Sequence, residues 1–221
     1  MQTLLPDASA LPLILRQWQY SSETAVDTMV LPDGCRDLIV RISTDGQPDI
    51  FVSALADGAA SVACQAGERF AGYRFHPAAH IDESALVALA VRHMDDHDGL
   101  LMAVAEHTRL DTRLAEALDA LSSSTTISTA CRRIGVSERS LERLLRESSK
   151  RPPGYWRGLA RVRRAAAALD QPGSLAEVAA SHGYADQAHL TRAFRHWFGT
   201  TPGAFRRQPA LLALAAEPGY C

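Results

Sequence analysis

Between residues 14 and 76, apolar and polar positions alternate in short runs: ILRQWQY, DTMVL, CRDLIVRI, DIFVSAL and ERFAGYRFH. A period of two is that of strands with one buried face, and the intervening PDG, DGQPD, ADG and AG sequences supply turns. Short strands at this spacing predict a small barrel or sandwich. After Pro77 the period lengthens to that of a helix, with Ala85, Leu86, Leu89 and Met94 at helical intervals and alanine-rich sequence running to Leu121. The SSSTT run at 122–126 interrupts this segment, and beyond it the pattern is helical apart from short Gly, Pro and Ser breaks. The predicted fold class is α+β: a β-rich domain over 1–80, a helical connector over 81–122, an all-α domain over 123–208 and a tail over 209–221.

The helical half repeats itself. A shift of 49 residues, without a gap, places Ala130 on Ala179, Leu141 on Leu190, Arg143 on Arg192 and Arg146 on Arg195, and continues with Pro153 on Pro202 and Trp156 on Phe205. In the second copy Ser174 and Glu177 have the spacing of a capping box, and Gly183 ends the helix that they begin. Asp186 then caps a second helix whose stripe is Leu190, Phe194 and Trp197, with Gly199 as its stop. Helix, short turn, helix is the arrangement whose second member enters the major groove of DNA. In the first copy the corresponding second helix starts at Ser137.

Each second helix leaves polar residues off its apolar stripe: Glu138, Arg139, Glu142 and Arg143 in the first, and Gln187, His189, Thr191 and Arg192 in the second. Arginine can hold guanine O6 and N7 with two hydrogen bonds, and glutamine can do the same for adenine N6 and N7. Arg132, Arg133, Arg157, Arg195 and Arg206 are expected on phosphates. Between the copies, Tyr155 to Leu169 reads as one helix with Leu159, Val162, Ala166 and Leu169 on one side and Arg157, Arg161 and Arg164 on the other. Its length of about 22 Å suits a strut holding two reading helices near the ~34 Å spacing of successive major grooves, so that one chain could engage both.

Charge sharpens this division. Residues 1–108 carry 6 Arg and no Lys against 15 acids, a balance of −9, while residues 109–221 carry 17 basic against 10 acidic residues, a balance of +7. Only the back half is suited to a polyanion. The four cysteines, Cys35, Cys64, Cys131 and Cys221, lack zinc-ligand spacing and read as free thiols of a reducing cytoplasm. The opening MQTLLPDASALPLILRQW has no basic segment ahead of its apolar run, and no stretch approaches the ~18 apolar residues of a membrane span.

The segment SLAEVAASHGYADQAHLTRAFRHWFGTTPGAFRR at 174–207 resembles the signature of the AraC/XylS family of bacterial transcription regulators, and the resemblance extends over about 110–207. It implies a sequence-specific, non-enzymatic DNA-binding regulator with two such units joined by a long helix. Its base-contacting positions would fall on Arg139 and Arg143 in the first unit, beside the Glu142 that the polar face itself offers as a base contact, and on Gln187, Ala188, His189 and Arg192 in the second, with Ala188 offering only apolar contact to a thymine methyl. The first copy departs from the family at Lys150, where glycine is usual, and at Leu145, where an aromatic is usual. LPDGCRDLIVRI followed by GYRFHP is similar to an amino-terminal domain, of unassigned function, that precedes this DNA-binding domain in many regulators. Family members commonly carry a cupin-like sensor barrel there. The implied partners are double-stranded DNA across two successive major grooves and a small-molecule effector, with RNA polymerase and a second copy of the chain as further candidates; no cofactor and no membrane are implied.

Trp18, Cys35, Asp37, Arg41, Tyr73 and Phe75 make up the candidate effector pocket, against the plainer reading of its aromatics as core. Cys35, Asp37, Ile39 and Arg41 fall on one strand face opposite Leu38, Val40 and Ile42. A reactive Cys35, as nucleophile or redox sensor, is the alternative function; it needs a base such as His76 or His80, and Asp33 and Asp37 disfavour its thiolate. His76 with His80, and His93 with His97, have the i, i+4 spacing that on a helix can hold a transition metal, but RHMDDHDG, just before a glycine, has the look of an exposed helix end and no metal site is expected.

Overall fold

A computed structural model describes residues 3–4, 13–94 and 96–221, and the chain forms two compact units. The first comprises the chain up to Met29, Cys35–Leu55 and Ser61–Asp111; the second comprises Val30–Gly34, Ala56–Ala60 and Thr112–Cys221.

The strands are β1 (Thr3–Leu4), β2 (Ile14–Ser21), β3 (Val26–Val30), β4 (Asp37–Ile42), β5 (Pro48–Val52), β6 (Ala60–Cys64), β7 (Arg69–Phe75), β8 (Ala79–Ile81) and β9 (Thr108–Leu110). An antiparallel sheet runs in the order β1-β2-β7-β4-β5, while β3 pairs with β6 and β8 with β9. Register settles the faces. Leu38 stands opposite both Val52 and Tyr73, and Val40 opposite both Ile50 and Ala71, so these side chains share one face. Helices α1 (Glu83–Ala90) and α2 (His97–His107) cover that face with Leu86, Ala90, Leu100, Ala103 and Val104. Leu38, Phe75 and Leu86 are fully buried, and each such side chain contributes about 1.5–3 kcal/mol by leaving water. Asp82 caps α1 by accepting the Ala85 amide at 3.3 Å.

One expectation changes here. The β-rich domain is present, but among the described residues its main sheet is open and not a closed barrel. The apolar face finds its cover in α1 and α2, so the sheet has no need to roll onto itself. Helices α1 and α2 fall in the same compact unit as the sheet, and α3 (Thr112–Ser123) in the helical unit.

The helical unit continues with α4 (Ile127–Ile134), α5 (Glu138–Ser149), α6 (Pro153–Ala168), α7 (Leu175–Ser181), α8 (Gln187–Phe198), α9 (Pro202–Arg206) and α10 (Pro209–Ala215). In α6, Trp156, Leu159, Ala160 and Val162 are entirely out of solvent, as are Ala165 and Ala166. Phe194, Phe198 and Phe205 form an aromatic cluster with ring centroids 5.0–5.5 Å apart. Leu145, at the position equivalent to Phe194, is fully buried by itself. The 209–221 segment is bonded into the helical unit: buried Arg163 donates to the Glu217 carbonyl at 2.9 Å, and the Tyr220 hydroxyl donates to the Leu118 carbonyl at 2.8 Å.

The repeat is not gapless in three dimensions. Thr126 caps α4 through the Thr129 amide and Ser174 caps α7 through the Glu177 amide, a separation of 48. Both helices end in a left-handed glycine, with Val136 N–H bonding the Cys131 carbonyl at 3.0 Å and Tyr184 N–H bonding the Ala179 carbonyl at 2.9 Å. Cys131, not Ala130, is therefore the counterpart of Ala179. The caps of the second helices, Ser137 and Asp186, return to a separation of 49, because one residue, Val136, lies between glycine and cap in the first turn and two, Tyr184 and Ala185, in the second.

Candidate nucleic-acid interface

Helix α5 begins where the Ser137 hydroxyl accepts the Ser140 amide at 3.1 Å, and it buries Leu141 and Leu145. That anchoring turns Glu138, Arg139, Glu142 and Arg143 to solvent. Glu142 is partly spent along the helix, accepting from Arg146 one turn on at 2.7 Å. Helix α8 begins where Asp186 accepts the His189 amide at 2.6 Å, buries Leu190, Phe194, Trp197 and Phe198, and exposes Gln187, Ala188 and Arg192.

His189 is placed differently from its neighbours. Its Nδ1 accepts the Ala185 amide at 3.4 Å and its ring meets the buried Tyr184 edge-on, with centroids 5.2 Å apart. It therefore braces the longer second turn and presents only part of itself outward. Nothing in the sequence marked this, because the contact depends on the extra turn residue.

The five arginines expected on phosphates divide. Arg132 and Arg195 are exposed. Arg133 is held by Asp119 at 2.7 Å and by Ser123, which ties α4 to α3. Arg157 donates to the Thr125 carbonyl at 2.9 Å, and burial, then the charge of Arg161, pull its pKa below the usual arginine value. Arg206 donates to the Leu169 and Gly173 carbonyls at 3.1 and 2.8 Å, holding α9 to the end of α6. Arg161 and Arg164, on the same side of α6 as Arg157, also have carbonyl partners: Gly183 at 3.1 Å and Ser122. A guanidinium aimed at a helix-end carbonyl has a structural partner already, and only contact geometry distinguishes it from a phosphate ligand in sequence.

The candidate effector residues also divide, by face. Asp37 opposes Arg74, and Ile39 and Trp18 both flank Gly72, so Trp18, Asp37 and Arg41 stand on the sheet face away from α1 and α2. There the Trp18 indole N–H donates to Asp37 at 3.0 Å, the Arg74 Nε donates to the other Asp37 oxygen at 3.2 Å, and Arg41 pairs with buried Glu68. Gly72 lets the indole lie across the strand, since a Cβ there would stand 2.1 Å from it. Tyr73 and Phe75 are on the opposite face, in the core. The Tyr73 hydroxyl meets His97 Nδ1 at 2.9 Å, and burial pushes its pKa up to about 12. Cys35 is buried just ahead of β4. Arg74 and Glu68 went unsuspected because cross-strand partners become visible only with register.

Neither histidine pair shares a helix face. His76 and His80 flank a turn, with the His76 Nδ1 accepting the Ala78 amide at 3.1 Å, and His93 lies in a 3-10 turn while His97 opens α2. Among the described residues no group of three or more His, Cys, Asp or Glu side chains is placed to hold a metal ion. Burial, then Glu138, push the Cys131 thiol above its ordinary pKa.

Residues 130–208 match a family model described as a helix-turn-helix domain. No curated protein matches the chain. Among solved structures, a transcriptional regulator of the AraC-type DNA-binding-domain proteins from Chromobacterium violaceum is 27% identical, covering 49% of this chain and 96% of that one, with a TM-score of 0.40. ToxT from Vibrio cholerae is 9% identical over 87% of this chain and 97% of its own, with a TM-score of 0.43. ToxT with a bound unsaturated fatty acid, from Vibrio cholerae strain SCE256, is 7% identical over 86% and 93%, with a TM-score of 0.44.

Proposed function

We propose that this chain, which carries an AraC-type helix-turn-helix domain at 130–208, is a sequence-specific DNA-binding transcription regulator whose β-rich domain answers to a small-molecule effector. The observation that carries the reading is the duplication within one compact unit: two capped helix pairs, each turning a polar face of its second helix to solvent. Arg139, Arg143, Gln187 and Arg192 are the base readers, with Ala188 against a thymine methyl; exposed Arg132 and Arg195 serve phosphates. Glu142 and His189 contribute less, each having an internal partner. The effector face is the one bearing Trp18, Asp37, Arg41 and Arg74, where an aromatic surface and a paired charge could both meet a ligand. Coupling between effector and DNA would amount to about 1–3 kcal/mol.

Selection of bound fragments from random duplex DNA by the purified full chain tests this. The expected result is one enriched site of two half-sites about one helical turn apart, with affinity falling steeply as salt rises. Absence of any enriched sequence, or binding indifferent to salt, would refute it. Among the described residues no helix is long and apolar enough to cross a membrane.

A further inference from the structure

Helix α6 lies between the two helix-turn-helix units in sequence and bonds to both. Arg157 reaches the carbonyl of Thr125, the residue just ahead of the Thr126 cap of α4. One turn further along, Arg161 reaches the carbonyl of Gly183, in the turn between α7 and α8. The Arg161 guanidinium also lies 4.3 Å over the ring of Tyr184, which is 4% exposed and whose own amide closes the end of α7. Arg164, beside Arg161, reaches the Ser122 carbonyl at the end of α3, the helix to which Arg133 also ties α4. Two arginines one turn apart on one side of a single helix thus hold one unit each. A guanidinium is a planar donor fork that can bond and stack at once, so it fixes direction as well as distance, which an ammonium on a flexible stem does not.

We propose that Arg157 and Arg161 are positioning residues that set the rotation of α5 relative to α8, and with it the half-site spacing that one chain accepts. The inference rests on the DNA-binding reading above. One base pair of added spacing turns the second half-site by roughly 35° about the duplex axis. A pair of units clamped to α6 cannot follow that rotation without giving up base contacts at one half-site, whereas a pair joined only by packing can.

The test uses the full chain and its selected site, with versions of that site lengthened or shortened by one base pair between half-sites. Wild type is expected to lose about tenfold or more in affinity at either altered spacing, the loss of one good base contact. Arg161→Met is expected to bind the native spacing about tenfold less well but to discriminate among the three spacings by only about twofold, with an unchanged salt slope. Arg157→Met, which releases the other unit, is expected to behave the same way. Arg161→Lys keeps the charge without the fork and is expected to follow Arg161→Met; it also supplies the measurement should the methionine variant unfold in a melting experiment. Retained spacing preference in folded variants overturns the inference. So does uniform weakening with a salt slope reduced by about one, which would make these arginines phosphate ligands. If wild type itself selects no site, it is the DNA-binding reading that fails.

Discussion

The amide of Tyr220 donates to the carbonyl of Asp33 at 2.7 Å, which ties the chain's penultimate residue to the Pro-Asp-Gly turn near its start. Gly34, next in that turn, has φ +76°, and a Cβ on it would stand 2.7 Å from the Tyr220 Cβ and 3.1 Å from Leu159 and Trp156. The turn is thus built into the helical unit, against the helix that links its two halves.

Gly34→Ala is expected to destabilise the helical unit by about 2–4 kcal/mol, combining left-handed strain with overpacking. Denaturant unfolding followed by tryptophan fluorescence checks this, since Trp156 and Trp197 both lie in that unit. A variant as stable as wild type would mean that the slot opens freely.

Lys150 ends α5 in the left-handed region at φ 58°, where Gly199 ends α8 at φ 67°. Lys150→Gly should therefore stabilise by about 0.5–1 kcal/mol, the strain relieved less the greater freedom of glycine when unfolded. Gly199→Ala should destabilise by about 1 kcal/mol. Melting curves of the two variants, moving in opposite directions, are the expected outcome.

Arginines of equal charge should separate by readout. Arg195→Ala is expected to weaken all DNA sequences alike and to lower the salt slope by about one, whereas Gln187→Ala should relax preference at one base at a cost of about 1–3 kcal/mol. Arg206→Ala should leave the salt slope unchanged and lower the melting temperature, because its guanidinium holds the Leu169 and Gly173 carbonyls. Binding measured across a salt series, alongside melting, distinguishes all three.

Alkaline stability follows from two phenols, buried Tyr73 and half-buried Tyr155. Burial pushes Tyr73 and Tyr155 up to about 12, and the Tyr155 hydroxyl donates to the Ala56 carbonyl at 2.8 Å. An unfolded tyrosine ionises near pH ~10, so between roughly 10 and 12 the folded state holds more protons than the unfolded one and stability falls as pH rises. Below pH ~10 the contribution is fully present. Denaturant titrations at pH 9 and 11 should show the loss, and Tyr155→Phe should reduce it.

Much of the candidate interface was legible because it is local. A cap such as Ser137 or Asp186 acts three residues away, and the stripes Leu141–Leu145 and Leu190–Phe194 follow from helical period alone. The extra residue in the second turn escaped a gapless comparison because a shift of 49 still sets a small residue, Ala130, on Ala179, and only the cap bonds expose the separation of 48 ahead of the turn.

Composition, period and repeat determined that this protein has an acidic β-rich front, a basic duplicated helical back and two polar helix faces fit for DNA. Each of those properties is written within a dozen residues or summed over a segment, and needs no knowledge of what lies across the fold. Tertiary structure alone decided that the sheet stays open beneath α1 and α2, that Tyr73 and Phe75 are core while Arg74 joins Trp18 and Asp37, and that Arg157, Arg161 and Arg206 hold carbonyls. These outcomes depend on partners tens of residues distant. A guanidinium or an aromatic ring in sequence states what it can bond, and only the fold brings the group that it does bond.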